Sequence, residues 1–215
     1  MSRFGNWLAA FWLRRQVALA VLLGRKRRSI ELMQQVLRLD PDDAESRNAL
    51  GNLLVEAGEP VAAVEQFMLL LERWPDNAEA WFNLGYIHES REDLTNAERC
   101  FRRALELNPK IDRAWYGLGL TLIRGGRLGE AVDALKRNIE LQPFSPYGYY
   151  QLGMTYHHLG RRDEALRIID KLQGFEPKFA ATLKRDIDTT PPAPPAAGPS
   201  NPPTVLNKEA IATPV

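Results

Sequence analysis

A repeat of 34 residues runs through this chain and constrains its fold more than any other feature. Gly51, Gly85, Gly119 and Gly153 stand 34 residues apart, and the same interval separates Ala63, Ala97, Ala131 and Ala165. Pro75, Pro109, Pro143 and Pro177 form a third series, while Leu50, Leu84, Leu118 and Leu152 directly precede the glycines. When several residue types share one period, one structural unit has been copied along the chain. A period of this length belongs to stacked supersecondary units.

Each copy follows the same physical pattern, clearest over 78–111. Trp81, Leu84, Gly85 and His88 fall at i, i+3, i+4 and i+7, one face of a first helix. Arg91, Glu92 and Asp93 make a polar turn. Ala97, Phe101 and Ala104 then mark the apolar face of a second helix, which Asn108 and Pro109 end because proline cannot continue it. Small residues such as Gly85 and Ala97 let helices approach closely, and Trp81 and Phe101 fill the space beside them. Neither helix buries its apolar stripe alone, so the copies must stack.

The pattern Trp81-x2-Leu84-Gly85, then Ala97-x3-Phe101-x2-Ala104 and Pro109, resembles the tetratricopeptide repeat. The resemblance covers 44–77, 78–111, 112–145 and 146–179. Arg47 and Tyr149 stand where the first and fourth copies would have tryptophan, and Leu135 and Ile169 replace the aromatic of the second helix. Upstream, Gly24 and Pro41 lie one period before Gly58 and Pro75. They frame a degenerate copy over 10–43, behind an apolar extension over 1–9. Downstream, 180–187 reads as a capping helix, and 188–215 as a disordered proline-rich tail whose composition cannot form a core. The resemblance implies an all-α, right-handed helical solenoid of stacked helix-turn-helix repeats.

Composition narrows the function. Lysine and arginine (28) nearly balance aspartate and glutamate (27), so the net charge of +1 gives no overall basic character for a nucleic-acid partner. The single cysteine, Cys100, rules out an internal disulfide and a multi-cysteine metal site. The sequence holds no phosphate-binding glycine loop, no nucleophile elbow and no helical pair of metal ligands. His157 and His158 are adjacent, and adjacent helix positions point about 100° apart, so they cannot share one metal. The expectation is a chain without catalytic residues, cofactor or metal, whose partner is a protein or a peptide.

In the resembling family, the face of each first helix opposite its packing stripe lines a concave groove. Carried onto this chain, that face includes Asn48 and Asn52 in the first copy, and Phe82, Asn83 and Tyr86 in the second. The third copy offers Arg113, Tyr116 and Leu120, and the fourth Tyr147, Tyr150, Met154 and His157. The groove is therefore expected to be polar at its start and aromatic toward its end. An extended apolar or proline-containing peptide would suit Phe82, Tyr86, Tyr116, Tyr147 and Tyr150, and the chain's own segment 191–203 is a tethered candidate. A clamp for a peptide's terminal carboxylate is incomplete: Asn52, Asn83 and Arg113 fit it, whereas Asn48 and Gly117 do not.

Residues 3–23 are the only membrane-like stretch. Arg14 and Arg15 interrupt it, and a spanning helix needs ~20 predominantly apolar residues. Two readings stay open. Residues 10–23 form the buried first helix of the degenerate copy, or 3–13 form an interfacial anchor with Trp7 and Trp12 at headgroup level. The expected function is an interaction scaffold or adaptor in the cytoplasm. The alternative is a membrane-associated assembly factor held through 3–23 at the inner face of a membrane. The oligomeric state is left open.

Overall fold

The computed structural model describes residues 3–191, and its regular structure is helical throughout. Helices α1 (Arg3–Leu22) and α2 (Lys26–Leu39) form the first hairpin, followed by α3 (Ala44–Glu56) with α4 (Pro60–Arg73). Next come α5 (Ala78–Ser90) with α6 (Leu94–Leu107), and α7 (Asp112–Arg124) with α8 (Leu128–Leu141). The stack closes with α9 (Pro146–His158), α10 (Arg162–Gln173) and α11 (Pro177–Thr189). Each second helix packs on the next first helix. In addition α3, α5, α7, α9 and α11 touch one another in series. Among the described residues no second helix comes that near to the next second helix, so the stack curves toward its first helices. The architecture is a helical solenoid with the first helices on its inner side.

The glycines of the repeat admit the large side chains of the second helices. Phe101 is fully buried between Gly85 and Gly117: a Cβ added there would stand 2.7 Å and 2.5 Å from its ring. Gly51 meets Phe67 at 2.5 Å and Gly119 meets Leu135 at 2.8 Å in the same way. Burying one such phenylalanine contributes roughly 1.5–3 kcal/mol, provided the hole stays open. The fourth copy differs. Ile169 is only half-buried, and Leu183 of α11 covers Gly153 at 2.5 Å.

The turns explain both the prolines and the departures from the pattern. Pro41, Pro75, Pro109 and Pro143 each follow a helix's last cap. Trp81 and Trp115 donate their indole N–H to the carbonyls of Pro75 and Pro109, at 2.8 Å and 2.9 Å. Arg47, which lacks the indole, donates to the Pro41 carbonyl at 2.7 Å and so keeps that link. Pro177, the last of the proline series, does not stand directly after a helix's cap. The helix α10 already stops at Gln173, and Pro177 begins α11, where its missing N–H leaves no bond unmade. The helix α11 also outruns the expected 180–187, taking in Asp188 and Thr189. The rest of the proline-rich segment, from 192 onward, lies outside the described residues.

At the other end, α1 runs unbroken across the boundary expected between 1–9 and 10–43. Ala10, Val17 and Ala20 are buried, and Leu13 packs with them in the core shared with α2 and α3. Arg14 pairs with Asp43, the residue that caps α3 through the Ser46 N–H, and its Nε donates to Ser46 Oγ at 3.4 Å. Burial works to raise the Asp43 carboxyl, but the bonds from Ser46 and Arg14 hold it below the usual range. Thus Arg14 joins α1 to α3. Among the described residues no helix is long and apolar enough to cross a membrane.

Candidate peptide groove

The inner faces of α3, α5 and α7 are laced side to side by polar contacts. Asn83 Nδ2 donates to Asn48 Oδ1 at 3.1 Å, Arg113 pairs with Glu79 at 3.4 Å, and Arg124 pairs with Glu89 at 2.9 Å. The last pair also links α5 to α7. Between these helices opens a recess of about 470 Å³ lined by Asn52, Val55, Glu56, Glu79, Phe82, Asn83, Tyr86 and Arg113. Asn52 is exposed, and Tyr86 is 52% exposed.

Phe82 does not stand open as expected. It is 8% exposed, packs on Phe101 with ring centres 6.1 Å apart, and lies under the Arg113 guanidinium at 4.7 Å. The ring forms the floor of the recess, packed against Phe101, which itself fills the gap between Gly85 and Gly117.

A second recess, of about 380 Å³, lies between the third and fourth copies. Asp112, Arg113, Tyr116, Asn138, Gln142, Ser145 and Tyr147 line it. Tyr116 is half-buried, and burial pushes its phenol above the usual value against the opposing hydrogen bond with Gln151. Leu120 is also half-buried. Tyr147 is 61% exposed and sets its ring edge-on to Phe179 at 5.4 Å.

The end of the groove departs furthest from expectation. Tyr150 is half-buried and donates its hydroxyl to Asp186 Oδ2 at 2.7 Å, with Phe179 beside it. His157 is buried, and its Nε2 meets the Thr190 carbonyl at 2.7 Å. Met154 is half-buried and packs into the same cluster. The helix α11 continues the inner layer as the next first helix would, and Tyr150 and His157 form its seat. Of the five rings expected on the open face, Tyr86 and Tyr147 remain exposed. The stripe of Ala180, Leu183 and Ile187 betrays the helix in the sequence, but nothing there says that it seats on Tyr150.

Other chemistry-bearing residues serve structure. His88 Nδ1 meets Asp93 Oδ2 at 3.0 Å, and Asp93 caps α6 through the Asn96 N–H. Cys100 is buried, and burial pushes its thiol up. Among the described residues no group of three His, Cys, Asp or Glu side chains could hold a metal ion.

Family models described as Tetratricopeptide repeat match residues 15–71, 78–111, 100–133 and 146–179. Among solved structures, MamA is 26% identical with a TM-score of 0.70, over 80% of this chain and 94% of its own. YrrB, described as a TPR protein with an unusual peptide-binding site, is 25% identical with a TM-score of 0.65. That match spans 79% of this chain and 88% of YrrB's. No curated protein sequence matches the chain.

Proposed function

The chain belongs to the tetratricopeptide-repeat family, and from that premise we propose that it is an interaction scaffold that holds an extended peptide of a partner between α3, α5 and α7. The observation that carries this reading is the recess lined by Asn52, Phe82, Asn83, Tyr86 and Arg113, which spans three successive first helices. Its floor is apolar, one wall is an exposed tyrosine, and amides stand on neighbouring helices. Packed helices lie ~8–10 Å apart, and an extended chain rises ~3.3 Å per residue. Asn52 on α3 and Asn83 on α5 therefore offer their amides to backbone groups of one extended chain crossing the two helices. Asn83 gives one N–H to Asn48, and its carbonyl oxygen remains to accept from a peptide N–H. An apolar peptide side chain would lie against Tyr86 and above Phe82. YrrB, with its described peptide-binding site, supports the reading by likeness of fold. No catalytic role is assigned to any residue.

The test is affinity capture of partners with the full chain and with an Asn52→Ala, Tyr86→Ala double variant. Both side chains are exposed, so helix content and melting should match the parent. A peptide taken from the captured partner should bind the double variant at least about fivefold more weakly, the loss typical when a contact that carries binding energy is truncated. Undiminished binding by this variant, together with loss in Tyr147→Ala, would move the site to the recess between α7 and α9.

A further inference from the structure

Helix α1 is apolar on both sides. Its inward stripe, Ala10, Leu13, Val17 and Ala20, packs into the core. On the opposite side Trp7, Leu8, Phe11, Trp12, Leu19 and Leu22 are all exposed, Trp12 by 60% and Leu22 by 82%. At 1.5 Å per residue this strip extends ~23 Å along the helix. A helix apolar all round is normally buried all round, and a contiguous exposed strip of this kind marks an interaction surface.

The charge around the strip says what covers it. Residues 1–30 carry seven cationic side chains and no carboxylate; the first acid is Glu31. A chain of net charge +1 thus holds +7 in those thirty residues and −6 in the remainder. Arg15 rises from the strip itself, 5.4 Å over the Phe11 ring. Arg25 and Arg28 line the same shallow recess as Leu19 and Leu23, so cations border the apolar side chains. Lys26 and Arg27 are exposed next in sequence, with the Lys26 ammonium donating to the Glu56 carbonyl at 2.6 Å and Arg28 also pairing with Glu31 at 3.1 Å. A second copy docked face to face would set these like charges against each other. An anionic bilayer instead offers acyl chains to the apolar strip and phosphates to the guanidinium groups.

We propose that the outer face of α1, with Arg15 and the Arg25-Lys26-Arg27-Arg28 cluster, lies flat in the surface of an anionic lipid bilayer. The tryptophans sit at the depth where indole rings favour the interface. Arg14 stays on the protein side, paired with Asp43. The acidic remainder of the chain is repelled from the anionic surface, which turns the solenoid away from the bilayer.

Sedimentation of the full chain with vesicles tests this. The protein should pellet with vesicles containing phosphatidylglycerol, release as salt is raised, and pellet far less with phosphatidylcholine alone. Arg25→Gln with Arg27→Gln should weaken binding roughly 30-fold, about fivefold per cation removed from an anionic surface. Trp12→Glu with Leu22→Glu should abolish it while helix content and melting stay unchanged. Equal pelleting with both vesicle types, or retention by the Trp12→Glu, Leu22→Glu variant, would overturn the proposal. So would a concentration-dependent dimer that this variant dissolves, since the face would then belong to a second copy. Should that variant misfold, the Arg25→Gln, Arg27→Gln pair decides alone: unchanged binding sinks the proposal.

Discussion

Glu92 adopts a backbone conformation that its equivalents in other copies leave to glycine. Gly24, Gly58, Gly126 and Gly160 turn between first and second helices with φ of 65°, 80°, 73° and 72°, and Glu92 does so with φ of 60°. A left-handed conformation costs an L-residue roughly 1–2 kcal/mol. Glycine removes that cost but gains freedom in the unfolded chain, which returns about 0.4–1 kcal/mol. Glu92→Gly should therefore stabilise the protein by about 0.5–1 kcal/mol, seen as a higher urea midpoint with an unchanged slope. A lower midpoint would mean that the Glu92 side chain contributes more than its backbone strain removes. Other residues gain their meaning only from neighbours. Arg47 keeps a tryptophan's bond to a proline carbonyl with a different donor, and Arg14, an interruption in an apolar run when read alone, proves to be a joint.

The decisive element is α11. Through Leu183 it covers Gly153, and through Phe179 and Asp186 it engages Tyr147 and Tyr150. The hydrogen bond between Tyr150 and Asp186, together with burial, holds the tyrosine above its ordinary value. The same bond, with Arg185 adding to it, holds the aspartate below its own. The carboxylate's contribution is complete above the ordinary aspartate range and is lost as pH falls through its lowered folded value. The phenol's contribution is complete below the ordinary tyrosine range and is lost as pH rises through its raised folded value. Tyr150→Phe should speed hydrogen exchange in α11 at neutral pH, and the difference from the parent should shrink at both extremes. A difference that stays constant across that range would show that the hydroxyl does not hold the helix.

At the scale of the whole molecule, repeats touch only their neighbours, so properties can differ along the stack without disturbing each other. The cationic, apolar face of α1 lies at one end, the open recess of α3, α5 and α7 in the middle, and the groove closed by α11 at the other end. The two proposed surfaces share no residue, so the variants that test them should be separable. Asn52→Ala with Tyr86→Ala should leave vesicle binding intact, and Trp12→Glu with Leu22→Glu should leave peptide binding intact.

The sequence by itself determined the solenoid. Its period, its small residues at close approaches and its prolines after helix ends are local rules repeated identically, and stacking follows because no single copy buries its own stripe. It also indicated which helix faces turn inward, since the repeat carries one face onto the next. Tertiary structure alone decided which of those side chains stay open. Phe82 and Tyr86 sit on the same nominal face, yet one is the floor of a recess and the other its wall, because only Phe82 reaches the ring of Phe101. Tyr150 and His157 are closed by residues 36 and 33 positions further on, and Arg14 is matched 29 positions away. Such partners are set by packing across helices, a distance that no local periodicity encodes.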